Sequence, residues 1–421
     1  MNENTSDIKG IEYLRKKLKA KSRRVRMRYD YYEMKNVVFD FGISTPPDLR
    51  HWMGTLGWCA RAVDSLADRI VFREFDNDLF NMNEIFADNN KDVFTDSATL
   101  SALISSCSFV YIAVDGTEPK LRVIDGMHAT GRIDEVTKML KEGYAVLEWD
   151  SMNNPILEAY FVPGMTIYYE KGKEIGRIPN SAPYPLLVPI INRPDAARPF
   201  GHSRISRACM SIVGSAVRTA KRSEIAAEFY SYPQKYILGM DSSAERFDNW
   251  KLTMSTMFRV DKDEDGDKPT VGQFQQQSMA PHSDQLRMFA GLFAGETGLT
   301  LDDLGFPSQN PSSAEAIKSS HETLRLTARK AQRDFGVGFL NVGYLAACVR
   351  DNMRYERKVV NNVIPKFEPI FEPDAAMLSV VGDGAIKINQ AVPGYFDRKT
   401  LRDLTGIDGG EDETGEINIE V

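Results

Sequence analysis

A chain of 421 residues and 47.4 kDa, 42% hydrophobic, exceeds one ordinary core, so two or more folded domains are expected. Its net charge of -7 excludes a protein that coats nucleic acid by bulk charge, while leaving room for a local basic surface. The four cysteines (Cys59, Cys107, Cys209, Cys348) lie far apart with no CxxC pair, which excludes a disulfide framework or a thiolate zinc site and points to a reducing cytoplasm.

The start, "MNENTSDIKG", lacks an apolar signal core, and the longest mostly apolar stretch, "SALISSCSFVYIAV", is too short to span a bilayer, so no membrane partner is expected. Residues 9–35 then combine many lysines and arginines with Tyr29, Tyr31 and Tyr32 on an expected helix. Cations neutralise phosphates and aromatics stack on bases, so one reading is a nucleic-acid-binding arm. The preferred reading is a solvated helix whose tyrosines pack on their own domain. A second helix is expected around "LGWCARAVDSLADRIV", with Asp64 and Asp68 ion-paired to Arg61 and Arg69.

From about 100 to 192 the pattern changes. Runs rich in β-branched and aromatic residues ("FVYIAV", "KLRVI", "YAVLEW", "ILEAYFV", "TIYYE") alternate with turn chemistry and predict an antiparallel sheet region. A helical insert, "IDEVTKMLKEG", is expected to interrupt it. The prolines of "NSAPYPLLVPIINRPDAARP" forbid helix and predict a linker.

A long helix is expected over 203–229 with Ser203 as its cap. Its many Ala, Ser, Thr and Gly residues would let other backbones approach closely. A small α/β insert follows: a strand in "QKYILG", a helix capped by Ser242 and Glu245, and strands in "FRV" and "TVGQF" around an acidic turn. Asp261, Asp263 and Asp265 with Gly266 match the opening of an EF-hand loop, but the bidentate Glu position is Gly272, so no calcium site is expected. A second helix over 282–297 leads to the loop "TLDDLGFPSQNP". There Ser312 and Glu315 form a capping box after Pro311. From that cap an apolar stripe at three- and four-residue steps (Ile317, His321, Leu324, Ala328, Ala331, Phe335, Val342, Leu345, Val349, Met353) predicts one very long helix. Gly336, Gly338 and Gly343 predict a kink within it. His321 is expected to be a hydrogen-bonded interface residue. Beyond it come a proline-punctuated passage, a short helix in "YFDRKTLRDLTG" and an acidic end expected to be disordered.

No HExxH, GxSxG, Walker loop or GxGxxG after a strand is present, so no enzyme, cofactor or metal is expected. The order helix, small α/β insert, returning helix, loop, very long helix resembles the portal proteins of tailed double-stranded DNA phages, over roughly residues 25–405. The resemblance rests on "RAVDSLADRI", "PIINRPDAARPFGHSRIS", "AAEFYSYPQKYILG" and "GLTLDDLGFPSQNPSSAEAIKSSHETL", in that order.

It implies an α+β portal fold that forms rings: a sheet-containing wing (1–202), a two-helix stem (203–229 and 282–297), an α/β clip (230–281), a tunnel loop (298–312), a long kinked wing helix (313–357) and a small crown (358–405), with the tail at 406–421. It also implies a homo-oligomer of about twelve copies at a capsid vertex of the virion, assembled in the host cytoplasm. Double-stranded DNA would pass through without sequence readout, and a terminase, the major capsid and scaffolding proteins and a head-tail adaptor would dock. By family position, Asp302, Asp303, Phe306, Gln309 and Asn310 would contact the channel, and Arg218, Lys221 and Arg222 could form a cationic ring or pair with Glu224 or Glu228. The rival readings are another head-tail connector or virion protein, and a metal-dependent phosphodiesterase using Asp261, Asp263 and Asp265.

Overall fold

The computed structural model describes residues 8–39, 54–115, 118–152, 154–231, 235–238, 270–273, 278–307, 314–371 and 375–407. The chain opens with α1 (Ile11–Tyr32), α2 (Trp58–Ala67), β1 (Phe72–Asp76), α3 (Met82–Asp88) and α4 (Lys91–Ser105). Eight strands follow: β2 (Cys107–Asp115), β3 (Glu118–Ile124), β4 (Ala129–Ile133), β5 (Leu140–Trp149), β6 (Pro155–Val162), β7 (Met165–Glu170), β8 (Lys173–Pro179) and β9 (Leu187–Ile191). Then come α5 (Arg207–Ser231), β10 (Lys235–Leu238), β11 (Thr270–Gln273) and α6 (Ala280–Thr297). The last elements are α7 (Ala314–Ser320), α8 (Glu322–Arg350), β12 (Ile364–Phe367), α9 (Ala375–Ala391) and α10 (Arg398–Thr405). The class is α+β, and every described strand pair is antiparallel. The chain divides into two compact units, one of residues 1–33, 60–206 and 312–421, the other of 34–59 and 207–311.

In the first unit, β4 to β8 form a five-stranded meander in sequence order. Leu14 and Leu18 of α1 pack on its face among Tyr144, Val146 and Tyr160. Residues four apart on a helix share a face, which is how α1 presents both leucines to the sheet. Helix α1 has no side-chain cap of its own. Instead Glu142 of β5, fully buried, accepts the amides of Lys9 and Gly10 at 3.0 Å each. A carboxylate there satisfies donors at the helix entry and complements the positive end of its dipole.

The core of this unit gathers around α8. Leu324, Ala328, Ala331, Phe335, Val342 and Leu345 are buried to the last per cent. Phe339 sits 5.3 Å from Phe72 and 6.4 Å from Phe86 in a cluster that also takes in Phe75 and Phe94. The stripe is therefore shielded within its own chain over most of its length. Of its ends, Ile317 and Met353 are exposed, and Met353 lies past the helix.

Several expectations are corrected. The proposed helix 133–143 is a turn followed by β5: Asp134 accepts the amides of Val136 and Thr137, and Lys138 takes a positive φ of 59°. Burial of Met139 and Leu140 and pairing with β4 outweigh the local helix propensity. The proposed linker contains β9, wholly buried and paired with β2. Pro189 is tolerated because β9 is an edge of the three-stranded sheet β3-β2-β9, where a missing N–H breaks no ladder on the open side.

Ser203 does not cap a helix. α5 starts four residues later, and the Ser203 hydroxyl donates to the Ile104 carbonyl at 2.6 Å. Asp64 accepts from the Tyr32 hydroxyl (2.9 Å) and makes no ion pair with Arg61 or Arg69, whose Nη1 donates to the Ser65 carbonyl instead.

The long helix is interrupted at His321, not at its glycines. The Ser320 hydroxyl donates to the Ile317 carbonyl (2.7 Å), and the His321 ring Nδ1 lies 2.9 Å from the same oxygen, so side chains compete for a backbone acceptor. α8 runs unbroken through Gly336, Gly338 and Gly343. A Cβ at Gly338 would stand 2.7 Å from the Ile190 side chain, and one at Gly343 2.7 Å from Met82. The glycines let α8 approach β9 and α3 closely. The sequence reading also passed over α3 and α4, although Phe94, Ala98, Ala102 and Leu103 of α4 line the core. The Ser312–Glu315 and Ser242–Glu245 capping boxes, the Asp261–Asp265 turn and the acidic end at 408–421 lie outside the described residues.

Candidate functional site

The second unit holds the helix pair α5 and α6. α5 and α6 pack against each other, and the Thr219 hydroxyl donates to Gln285 Oε1 at 3.0 Å across them. The buried side of α5 is made of Cys209, Val213, Ala216 and Val217, that of α6 of Ala290, Phe293 and Ala294. Ala216, Ala290 and Ala294 are the small side chains on these faces. Trp58 closes one end, its ring 5.7 Å from Phe293. Burial pushes the Cys59 thiol well above its usual range, with Cys209 close by, so Cys59 serves as packing rather than as a nucleophile.

Among the described residues nothing covers the other side of α6. Met288 and Leu292 are more than half exposed, and Gly291 and Gly295, one turn apart beside them, have nothing within 4 Å of where a Cβ would stand.

Of the three α5 cations singled out in the sequence, Arg218 donates to the Ser215 hydroxyl one turn back on its own helix (3.0 Å). Lys221 is buried at 5% exposure and Arg222 is half-buried. The three lie on one helix, and Lys221 is the most buried of them. Glu224 is exposed.

After α6, Gly298 takes a positive φ of 69° and ends the helix. The next turn is built by Thr300 and Asp303. The Asp303 carboxylate accepts the Thr300 amide (2.8 Å) and hydroxyl (2.9 Å), and Thr300 Oγ1 accepts the Asp303 amide (3.2 Å). A 3-10 turn, Asp302–Leu304, follows. It closes at Gly305, whose φ of 87° suits a residue without Cβ. Leu304 is buried, Asp302 is exposed and Phe306 is half-buried.

Asp303 thus shapes the loop, while Asp302 and Phe306 remain at its surface. Gln309 and Asn310 lie outside the described residues. Thr300 was missed in the sequence, although T-x-x-D is the spacing of a reciprocal cap. Among the described residues no cluster of His, Cys, Asp and Glu could hold a metal, and no helix is long and apolar enough to cross a membrane.

No family model matches the chain. It is 25% identical over 337 residues to the portal protein of Mycobacterium phage L5, covering 73% of this chain and 67% of that one. It is 23% identical over 345 residues to the portal protein of Mycobacterium phage D29, covering 74% and 68%. Chains from solved gene transfer agent particles align at TM-scores of 0.47 for a native virion and 0.48 for an empty-particle neck, each at 12% identity. These cover 92% and 87% of this chain, and 100% and 96% of theirs. The resemblance to phage portal proteins stated from the sequence holds.

Proposed function

We propose that this chain is the subunit of a phage portal ring. In this reading about twelve copies surround a channel at one vertex of a capsid, through which double-stranded DNA enters during packaging and leaves during ejection. The observation that carries it is the identity to two portal proteins over some three-quarters of the chain.

Surface chemistry supports self-association. The open side of α6 offers Met288 and Leu292 with two uncovered glycines, the kind of face on which a second helix packs closely. In the first unit, α9 is apolar around most of its circumference, yet among its described side chains only Ala385 is buried, while Val380 and Ile386 stand out. A helix apolar all round is stable where something covers it. A ring supplies that cover, one face of each copy meeting a different face of the next.

Within this reading α5 and α6 are the stem, β10 and β11 belong to the clip, and Asp302 and Phe306 stand at the DNA. The chain carries no nucleotide-binding loop, so a separate terminase ATPase drives the DNA, and adaptor, scaffolding and capsid proteins dock on the ring in the host cytoplasm. The protein is a structural component of the virion, without catalytic activity. Negative-stain electron microscopy and mass photometry of purified protein test it. Rings with an axial hole are expected, and a monomer at every concentration, also when co-expressed with scaffolding protein, would refute it.

A further inference from the structure

Residues 9–28 hold ten lysines and arginines and a single acid, Glu12. The structure divides these cations in two. Arg15, Lys17, Lys21 and Arg28 point inward: Arg15 to Glu158, Lys17 to the Gly131 carbonyl (2.6 Å), Lys21 over the Phe109 ring (5.2 Å), and Arg28 to the Ser105 carbonyl (3.3 Å). Lys16, Lys19, Arg23 and Arg26 are exposed, and their side chains make no ion pair or hydrogen bond with any described residue.

On a helix of 3.6 residues per turn these four fall within about 80° of one another and span about 15 Å of axis. Arg24 flanks them, also exposed. Neighbouring cations add to the field around the inward groups, partly opposed by Asp125 at Lys21 and by Glu142 at Lys17. After burial itself, neighbouring cations lower the pKa of Lys17 (Lys21 and Arg132) and of Arg28 (Arg24 and Arg198), and Arg24 works in the same direction on Lys21.

A face kept only for solubility intersperses both signs, because adjacent like charges on a helix destabilise it. Here a protein of net charge -7 keeps a run of like charge with no acid between Tyr13 and Tyr29. A protein partner would need an aromatic or apolar anchor to desolvate, and Lys is depleted at the cores of such interfaces. Only Ala20 and Met27 interrupt the cations on this face.

We propose that the outward face of α1, built from Lys16, Lys19, Arg23 and Arg26, binds the phosphate backbone of duplex DNA without reading its sequence. Duplex DNA presents a charge about every 1.7 Å of its axis, so a 15 Å row of cations meets several phosphates at once. These four residues are not among the channel residues named above, and the proposal stands or falls apart from the ring reading.

The test uses full-length protein and a mixed-sequence duplex of about 30 base pairs, with fluorescence anisotropy across a salt series. The variant carries Lys16→Gln, Lys19→Gln, Arg23→Gln and Arg26→Gln together. A control with the same charge change carries Lys171→Gln, Lys173→Gln, Lys358→Gln and Lys387→Gln. The unaltered protein is expected to bind with a log–log salt slope of about -0.9 per phosphate neutralised. The α1 variant is expected to lose at least tenfold in affinity at low salt and to flatten the slope by about 3 to 4, and the control to change little. Equal binding by the α1 variant, an equal loss in the control, or no binding by the unaltered protein overturns the proposal. Circular dichroism and mass photometry on each sample give folding and assembly separately. A monomer that binds through α1 removes the ring reading alone, and a ring that does not bind removes this one alone.

Discussion

Arg15 and Glu158, 143 residues apart in the chain, meet as a two-pronged pair, with Nε to Oε1 at 3.0 Å and Nη2 to Oε2 at 2.7 Å. Glu158 is almost fully buried and also accepts from the Tyr144 hydroxyl. Burial works against the charge on Arg15, but Glu158 and Glu12 more than offset it and hold its pKa above the usual value. The pair ties α1 to the five-stranded sheet. Arg15→Met would leave a buried carboxylate without its cation, and about 3 kcal/mol of stability should be lost in urea denaturation. Glu158→Gln, which keeps the shape and removes the charge, should lose less.

Lys17 supplies a pH dependence. Burial first, then Lys21 and Arg132, lower its pKa to about 8, against an ordinary value of 10.5. Below pH 8 both folded and unfolded chains carry the proton, and the folded state bears the full cost. Between 8 and 10.5 the unfolded chain binds more protons, so this residue's contribution to stability rises with pH. Lys17→Met removes the titration. The melting temperature of the variant minus that of the unaltered protein should fall as pH goes from 8 to 9.5, and a flat difference would contradict this.

The two kinds of glycine should respond in opposite ways. Gly338→Ala places a Cβ against Ile190, with backbone at 3.4 to 3.5 Å behind it. Overpacking of about 1 to 3 kcal/mol, less about 1 kcal/mol gained in helix propensity, should leave the protein less stable. Gly291→Leu meets open space in the single chain. It should leave the fold unharmed while lowering the yield of rings in mass photometry.

Asp302 and Asp303 are neighbours with different tasks. Asp303→Ala removes the acceptor of the Thr300 amide and hydroxyl and should cost about 1 kcal/mol, visible as faster amide exchange around residues 300–306. Asp302→Ala removes neither of those two bonds, so the Thr300 amide should keep its protection, and its effect on DNA is read separately in packaging assays.

Much of this architecture was legible along the chain because its signals are local. Runs of β-branched and aromatic residues in "FVYIAV" and "ILEAYFV" gave β2 and β6, which need only a neighbour on either side to form. The small residues of α5, the return of α6 and the order of the strings shared with portal proteins were equally visible. The candidate site was less so. Asp302 could be named from its position, but not that the adjacent Asp303 is held by Thr300, since which of two like carboxylates turns inward depends on the path of the loop.

What the sequence determined by itself is whatever repeats with the period of one element: the sheet region, the long helices and the basic run of α1. What only the tertiary structure decided is where those elements find their partners. Pro189 sits in a buried strand because that strand is an edge, Leu324 to Leu345 are covered by their own subunit, and Glu142 caps a helix from a distant strand. Burial and hydrogen bonding between residues more than a hundred positions apart depend on distances in space, and no local pattern encodes those.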